Sequence, residues 1–115
     1  MDIEQFVKEN GIAVFAETNL LTGEVRTWKG DAPMENTGLY NQLVVYANAS
    51  DMKDFLQGQI LPQTWRQGST RAVLCLPRED TMVTLFLDYE GDAVSFYDRA
   101  KKIDGIVSRI YKGQN

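Results

Sequence analysis

The last part of the chain carries apolar residues at alternating intervals of three and four positions. This spacing places them along one face of an α-helix, where side chains three and four residues apart are neighbours. The stripe consists of Ala93, Phe96, Ala100, Ile103, Val107 and Ile110. A helix with one apolar face must cover that face with another element. The sequence therefore predicts a long C-terminal helix packed on a sheet, with Gly105 as a point where the helix ends or bends.

Five segments have the length and composition of strands. Ile12–Ala16 is a continuous apolar run, which is typical of an interior strand buried on both faces. Residues 24–28, 71–76 and 82–89 alternate or remain apolar over strand length. Residues 59–68 are predicted to form a short edge strand, because the proline within them, Pro62, cannot donate to a central ladder. These segments predict one five-stranded, mostly antiparallel sheet.

A short helix is predicted at the start of the chain. Asp2 can cap its first turn, with Gln5 three residues later as in a capping box. Ile3, Phe6 and Val7 then fall on one face, which we expect to pack against the sheet.

A longer helix is predicted between the second and third strands, from about residue 39 to residue 56. Leu39, Leu43 and Tyr46 fall on one face at helical spacing, with Val44 and Ala47 beside them. Ser50 and Asp51 resemble a fresh cap, so the helix is expected to pause there and restart. The element order is then α-β-β-α-β-β-β-α, an α+β fold.

The composition argues against several kinds of chemistry. The chain has no histidine, so the commonest general base and the commonest metal ligand are both missing. Its net charge is −4 and its basic residues are scattered, whereas nucleic-acid binding needs a concentrated positive face. We therefore expect no enzyme activity, no cofactor, no metal and no nucleic-acid partner.

The features that bear on location favour the cytoplasm. No segment approaches the roughly 20 apolar residues that a membrane span requires, and the acidic start Met1–Glu4 lacks the pattern of a signal peptide. Cys75 is the only cysteine and lies in an apolar run, where it is predicted to be buried. An unpaired cysteine suits a reducing compartment, so we expect a cytoplasmic protein that does not bind membranes.

Three carboxylates occupy alternate positions at the end of the last strand and just beyond it, namely Asp88, Glu90 and Asp92. Such a cluster can supply oxygen ligands to a hard cation, but the glutamate that completes a calcium loop does not follow at the required spacing. We interpret the cluster as a strand end, a turn and the cap of the last helix. An enzyme that used these carboxylates would need one of them in a cleft with a raised pKa.

Four apolar residues are candidates for contact with a partner. Trp28 and Trp65 either complete the core or anchor a partner, since tryptophan is enriched among interface hot spots. Leu20 and Leu21 lie near the tip of the first hairpin. They either fold back over the edge of the core or form an exposed apolar contact.

The order of elements resembles the roadblock/LC7 domain, which has a profilin-like architecture. The resemblance is carried by the hairpin from Gly11–Ala16 to Glu24–Trp28, the middle helix of Leu39–Leu56, and the run Arg71–Tyr89 that leads into the helix of Ala93–Tyr111. It covers nearly all of residues 1–115, which we expect to form a single domain. The hairpin turn is longer than the tight turn usual in the family, and Pro62 lies where the family's dimer-forming strand is regular.

The resemblance implies a non-catalytic protein-protein interaction module, either a dimeric scaffold or a regulatory subunit. Roadblock-like domains form homodimers or heterodimers through the middle helix and the adjacent edge strand, and many regulate small GTPases. On this chain, that surface would involve Leu43, Tyr46, Ala47, Ile60 and Trp65. Fold resemblance alone does not establish function.

A different class of function is also compatible with the sequence. A small acidic protein can act as an inhibitor or immunity-type protein that binds and blocks a basic target, and the net charge of −4 fits this alternative. Such pairs associate by electrostatic steering, so their association rate is expected to fall steeply with salt.

Overall fold

The computed structural model describes residues 2–113, and its frame is a five-stranded sheet in which all neighbouring strands are antiparallel. The strands are β1 (Val14–Asn19), β2 (Val25–Lys29), β3 (Gln63–Gln67), β4 (Thr70–Arg78) and β5 (Thr81–Asp88). Their order across the sheet is β2-β1-β5-β4-β3, so β2 and β3 form its two edges. The predicted α+β class and the antiparallel sheet are confirmed.

Helices cover both faces of the sheet. They are α1 (Ile3–Glu9), α2 (Gly38–Tyr40), a π turn (Asn41–Val45), α3 (Ala49–Leu56) and α4 (Ala93–Lys112). The predicted middle helix thus exists, but in three consecutive pieces. None of the helices within residues 2–113 has both the length and the apolar character needed to cross a bilayer.

One face of the sheet packs against α1 and α4. Asp2 caps α1 by accepting a hydrogen bond from the Gln5 amide at 2.7 Å, as predicted. The Phe6 ring of α1 meets the Phe15 ring of β1 edge to face, with centroids 6.2 Å apart. The α4 residues buried here are Phe96, Ala100, Ile103, Val107, Ile110 and Tyr111. The predicted stripe is therefore correct except at its first position, because Ala93 is exposed.

Gly105 does not interrupt α4, which continues to Lys112. A mid-helix glycine costs about 1 kcal/mol relative to alanine. The apolar residues on both sides of it, Ile103 and Val107, are buried on the sheet and offset that cost.

The opposite face packs against α2, the π turn and α3. Leu39, Leu43 and Val44 are buried with Phe86 of the sheet. By regular helical spacing Tyr46 would share this face with Leu39 and Leu43, yet it is 79% exposed. The Tyr46 amide donates to the Asn41 carbonyl at 2.8 Å, an i→i+5 bond that adds a residue to the turn. The extra residue rotates Tyr46 away from the face that continues from Leu43.

The middle segment pauses two residues earlier than predicted. Asn48 adopts an extended backbone and accepts a hydrogen bond from the Asp51 amide at 3.1 Å, so it is the cap of α3. Ser50 and Asp51 lie within the first turn of α3.

The predicted edge strand is present within residues 59–68. β3 pairs with β4 in regular register from Gln63 opposite Leu74 to Gln67 opposite Thr70. Pro62 is buried and lies one residue before the strand, so it removes no bond from the ladder. The β4–β5 hairpin is longer than expected, because β4 continues through Pro77 to Arg78 with an irregularity in pairing after Cys75.

Candidate functional site

Exposed apolar side chains are concentrated where the middle segment meets the β3 edge. Phe55 of α3 is 42% exposed and Ile60 of the following loop is 79% exposed. The Phe55 ring packs on the half-buried Trp65 of β3, with ring centroids 6.2 Å apart. We call Phe55, Ile60 and Trp65 the α3–β3 surface. Apolar groups left in water in this way are typical of a surface that a partner covers.

The main chain beside this surface is also available for pairing. β3 is bonded to β4 on one side, and no other strand within residues 2–113 lies on its outer side. An edge strand presents unpaired N–H and C=O groups that can pair with another chain. The α3–β3 surface therefore combines apolar side chains with a free backbone edge.

Local contacts hold α3 and the following loop in place. The Lys53 ammonium of α3 donates to the Asp80 carboxylate of the β4–β5 turn at 2.8 Å, and this hydrogen bond raises the pKa of Lys53. The Gln63 side-chain amide donates to the Ile60 carbonyl at 3.1 Å. These bonds connect both ends of the α3–β3 surface to the sheet.

The contact residues predicted on the middle helix and the edge strand lie in three different environments. Ile60 and Trp65 lie on the α3–β3 surface, and Tyr46 and the half-buried Ala47 lie at the break that precedes α3. Leu43 is only 5% exposed and packs in the core, which leaves it almost no area for a partner to cover.

The first hairpin holds the remaining candidates. Leu20 is buried against Leu56 of α3, so it folds over the edge of the core, whereas Leu21 beside it is 67% exposed. Trp28 is half-buried on β2, and its ring meets that of Phe15 edge to face at 5.4 Å. β2 is at the opposite edge of the sheet from β3, so Trp28 is not part of the α3–β3 surface.

Phe55 is a further candidate contact residue, beyond those predicted from the sequence. Its position three residues after Met52 and next to Leu56 is also typical of a helix residue that packs in the core. α3 is only eight residues long, and of the three side chains Leu56 alone is fully buried while Met52 is partly so. The sequence alone predicts a longer helix, so the exposure of Phe55 becomes visible only once the length of α3 is known.

Of the three acidic residues at and after the end of β5, Asp88 and Asp92 have structural roles. The Asp88 carboxylate accepts hydrogen bonds from the Glu35 amide at 3.0 Å and from the Thr70 hydroxyl at 2.7 Å. Asp92 caps α4 through the Ser95 amide at 2.7 Å, and this bond lowers the pKa of Asp92. Within residues 2–113, no three histidine, cysteine, aspartate or glutamate side chains converge on a point that could hold a metal ion.

The five-stranded antiparallel sheet with helices on both faces is a roadblock-like α+β fold. One solved structure with a similar fold is that of MglC from Myxococcus xanthus. The two chains are 16% identical and superpose with a TM-score of 0.59 over 96% of this chain and 94% of MglC. No protein-family model and no curated protein sequence matches the chain. At this level of identity, the likeness concerns the fold.

Proposed function

We propose that the protein is a non-catalytic protein-protein interaction module that acts as a dimeric scaffold or regulatory subunit. The observation that carries this proposal is the α3–β3 surface, where exposed Phe55 and Ile60 flank a free strand edge. Its contact residues would be Ile60, Trp65 and Phe55, joined by Tyr46 and Ala47 at the helix break. In the roadblock family, the middle helix and the adjacent edge strand are the elements that dimers use.

The chemistry of this surface suits a second copy of the same chain. Two β3 strands can pair antiparallel across a twofold axis, because such an interface places the same residues on both sides. Aromatic residues dominate the energetics of interfaces, and Trp65 is already packed against Phe55 before any partner arrives. A contact of this kind needs little rearrangement of side chains.

Replacement of Ile60 by aspartate is expected to weaken the dimer at least about tenfold. The substitution removes an apolar contact and would bury an unpaired carboxylate in the interface, and both changes oppose association. The measurement is light scattering after size-exclusion chromatography over a dilution series, in which the unmodified 13.0 kDa chain should run at twice that mass. Val94→Asp is the matched control, because Val94 is 74% exposed but lies on α4, which covers the other face of the sheet.

A strictly monomeric chain at high concentration would contradict the homodimer. Equal dimer dissociation constants for the Ile60→Asp and Val94→Asp variants would contradict the location of the contact. They would not contradict the formation of a dimer.

The partner class that the roadblock resemblance implies is a small GTPase. Proteins of that class change the conformation of their switch segments with the bound nucleotide. The expected result is binding to a purified small GTPase that differs about tenfold or more between its GDP form and a form loaded with a GTP analogue. Equal affinity for the GDP and GTP-analogue forms across a panel of GTPases would argue against a role as a regulatory subunit. The role as a dimeric scaffold would then be the remaining part of the proposal.

A further inference from the structure

Two arginines face each other across the β3–β4 hairpin on the side of the sheet that carries α4. Arg66 and Arg71 are directly opposite in register. Arg66 Nε donates to the Gly68 carbonyl at 3.1 Å, and Arg71 Nη1 donates to the same oxygen at 3.2 Å. The two guanidinium groups therefore converge on one atom. Like charges placed opposite each other in a sheet are destabilising, so this pair requires an explanation.

Arg71 is buried, with only 4% of its surface exposed. Its guanidinium lies 5.8 Å from the centre of the Tyr89 ring and 5.6 Å from that of Phe96. A second nitrogen, Nη2, donates to the Gly91 carbonyl at 3.2 Å. Burial, followed by the charge of Arg66, lowers the pKa of Arg71. An arginine nevertheless stays protonated at neutral pH, so a buried positive charge remains.

Neither arginine has an acidic partner in the described part of the chain. The ion pairs found between residues 2 and 113 involve other residues, and no carboxylate oxygen there lies within 4.0 Å of either guanidinium. Buried charges are ordinarily paired, because removing a charge from water costs several kcal/mol. Two carbonyl oxygens and two aromatic rings compensate only part of the free energy lost by burying the Arg71 charge. The nearby positive charge of Arg66 adds an unfavourable repulsion.

The arginine pair lies between two cavities that share both side chains. One cavity of about 300 Å³ is bounded by the β3–β4 turn and by Tyr89, Glu90 and Gly91. The other, of about 240 Å³, reaches Trp65, Ala93 and Phe96. We call the two together the Arg66–Arg71 cleft. α4 begins at Ala93, so the positive end of its helix dipole also faces the cleft.

We propose that the Arg66–Arg71 cleft binds a dianionic phosphate group, either free phosphate or the phosphate of a small organic monoester. Two guanidinium groups supply two positive charges and several N–H donors, and arginine recognises phosphate in a bidentate manner. A phosphate monoester carries a charge of about −1.5 to −2 at neutral pH, which matches the pair. A carboxylate carries one negative charge and would leave one guanidinium uncompensated.

The test is an NMR titration of the ¹⁵N-labelled full chain with inorganic phosphate and with phenyl phosphate at constant ionic strength. The amides of Gly68, Ser69 and Gly91 are expected to shift and to saturate at probe concentrations below about 50 mM, the range of a weak millimolar site. Stronger binding of phenyl phosphate would identify an organic monoester as the ligand, and stronger binding of inorganic phosphate would identify the free ion. Either result supports the site.

Arg66→Gln removes one charge from an exposed position and is expected to weaken phosphate binding about tenfold. Arg26→Gln is the matched control, since Arg26 is an exposed arginine on the other edge strand. The amide spectrum of each variant reports whether it is folded. Shifts that do not saturate, or that are the same in Arg66→Gln and the unmodified protein, would overturn the proposal.

The dependence of binding on pH separates phosphate from carboxylate. Phosphate monoesters lose half of their second charge near pH 6, so binding should weaken between about pH 7.5 and pH 5.5. The chain has no histidine, and no other side chain ordinarily titrates in that interval, so the cleft keeps its charge. Acetate binding as tightly as phosphate at pH 7.5 would overturn the assignment to a dianion.

Discussion

Replacement of Phe86 by alanine is expected to lower the free energy of unfolding by about 3–5 kcal/mol, the range found for phenylalanine truncations in protein cores. Phe86 is fully buried at the centre of the sheet, on the face covered by the middle segment. Its ring meets that of Tyr40 at 5.3 Å and packs beside Leu39 and Leu43. The alanine variant would leave a cavity beneath α2 and the π turn, and these short elements depend on the sheet for their stability.

Urea unfolding followed by circular dichroism measures this loss. Val25→Ala on the β2 edge is the control, because Val25 is 37% exposed and its truncation should change stability by no more than about 0.5 kcal/mol. A loss below about 1 kcal/mol for Phe86→Ala would contradict the packing of the middle segment on this face.

The protein is expected to lose stability above about pH 10 through Tyr111, at up to about 1.4 kcal/mol per pH unit. Tyr111 is buried at the end of α4, and its hydroxyl donates to the Glu17 carboxylate of β1. Burial is the main cause that raises the pKa of Tyr111, and the bond to Glu17 raises it further. The unfolded chain releases this proton near pH 10 while the folded chain retains it, so higher pH favours unfolding.

Tyr111→Phe removes the titrating group. At neutral pH the variant should be less stable by about 1–3 kcal/mol, because the Glu17 carboxylate loses a donor. Above pH 10 this difference should shrink and then reverse, which urea unfolding at a series of pH values would show. Lys53, whose pKa is also raised, contributes equally to both proteins and cancels in the difference.

Tyr97→Phe on the same helix is the control for this experiment. Tyr97 lies on the less buried side of α4, where Lys101 approaches its ring at 5.4 Å. Its profile should follow that of the unmodified protein, and a Tyr111→Phe variant that also followed it would refute the role of the Tyr111 hydroxyl.

The elements that could be predicted are those specified by nearby residues. The apolar stripe of α4 and the two helix caps follow from the spacing of residues within a few turns. The structure confirms the stripe from Phe96 onward, the cap of α1 at Asp2 and the cap of α4 at Asp92. The interior strand β5 was equally clear, because burial on both faces leaves a nearly continuous apolar run from Met82 to Leu87, interrupted by Thr84.

Features set by distant contacts could not be predicted. The π turn has no local sequence signature, and it moves Tyr46 off the face that regular helical spacing gives it. The neighbouring Leu20 and Leu21 of the first hairpin differ in burial, because Leu56 of α3 covers Leu20 while Leu21 remains exposed. Periodicity cannot separate such cases, since they depend on where a remote helix lies.

The candidate sites show the same division. Trp65 and Ile60 were identified from composition and resemblance, whereas Phe55 became visible only with the length of α3. In the sequence, Arg66 and Arg71 only flank a turn, and nothing there indicates that their side chains meet. Their convergence requires the register of β3 on β4, which places them opposite each other, and the packing of α4 over that side of the hairpin.

The two edges of the sheet differ in a way that limits how large an assembly can grow. Pairing through β3 would consume that edge in both copies and leave β2 at each end of a ten-stranded sheet. β2 has the same length as β3 but carries two cations, Arg26 and Lys29, where β3 carries Arg66 alone, and charged edges oppose the addition of further strands. Association would therefore stop at a closed pair instead of continuing into a fibre, and the mass measured at rising concentration should reach a plateau at two chains.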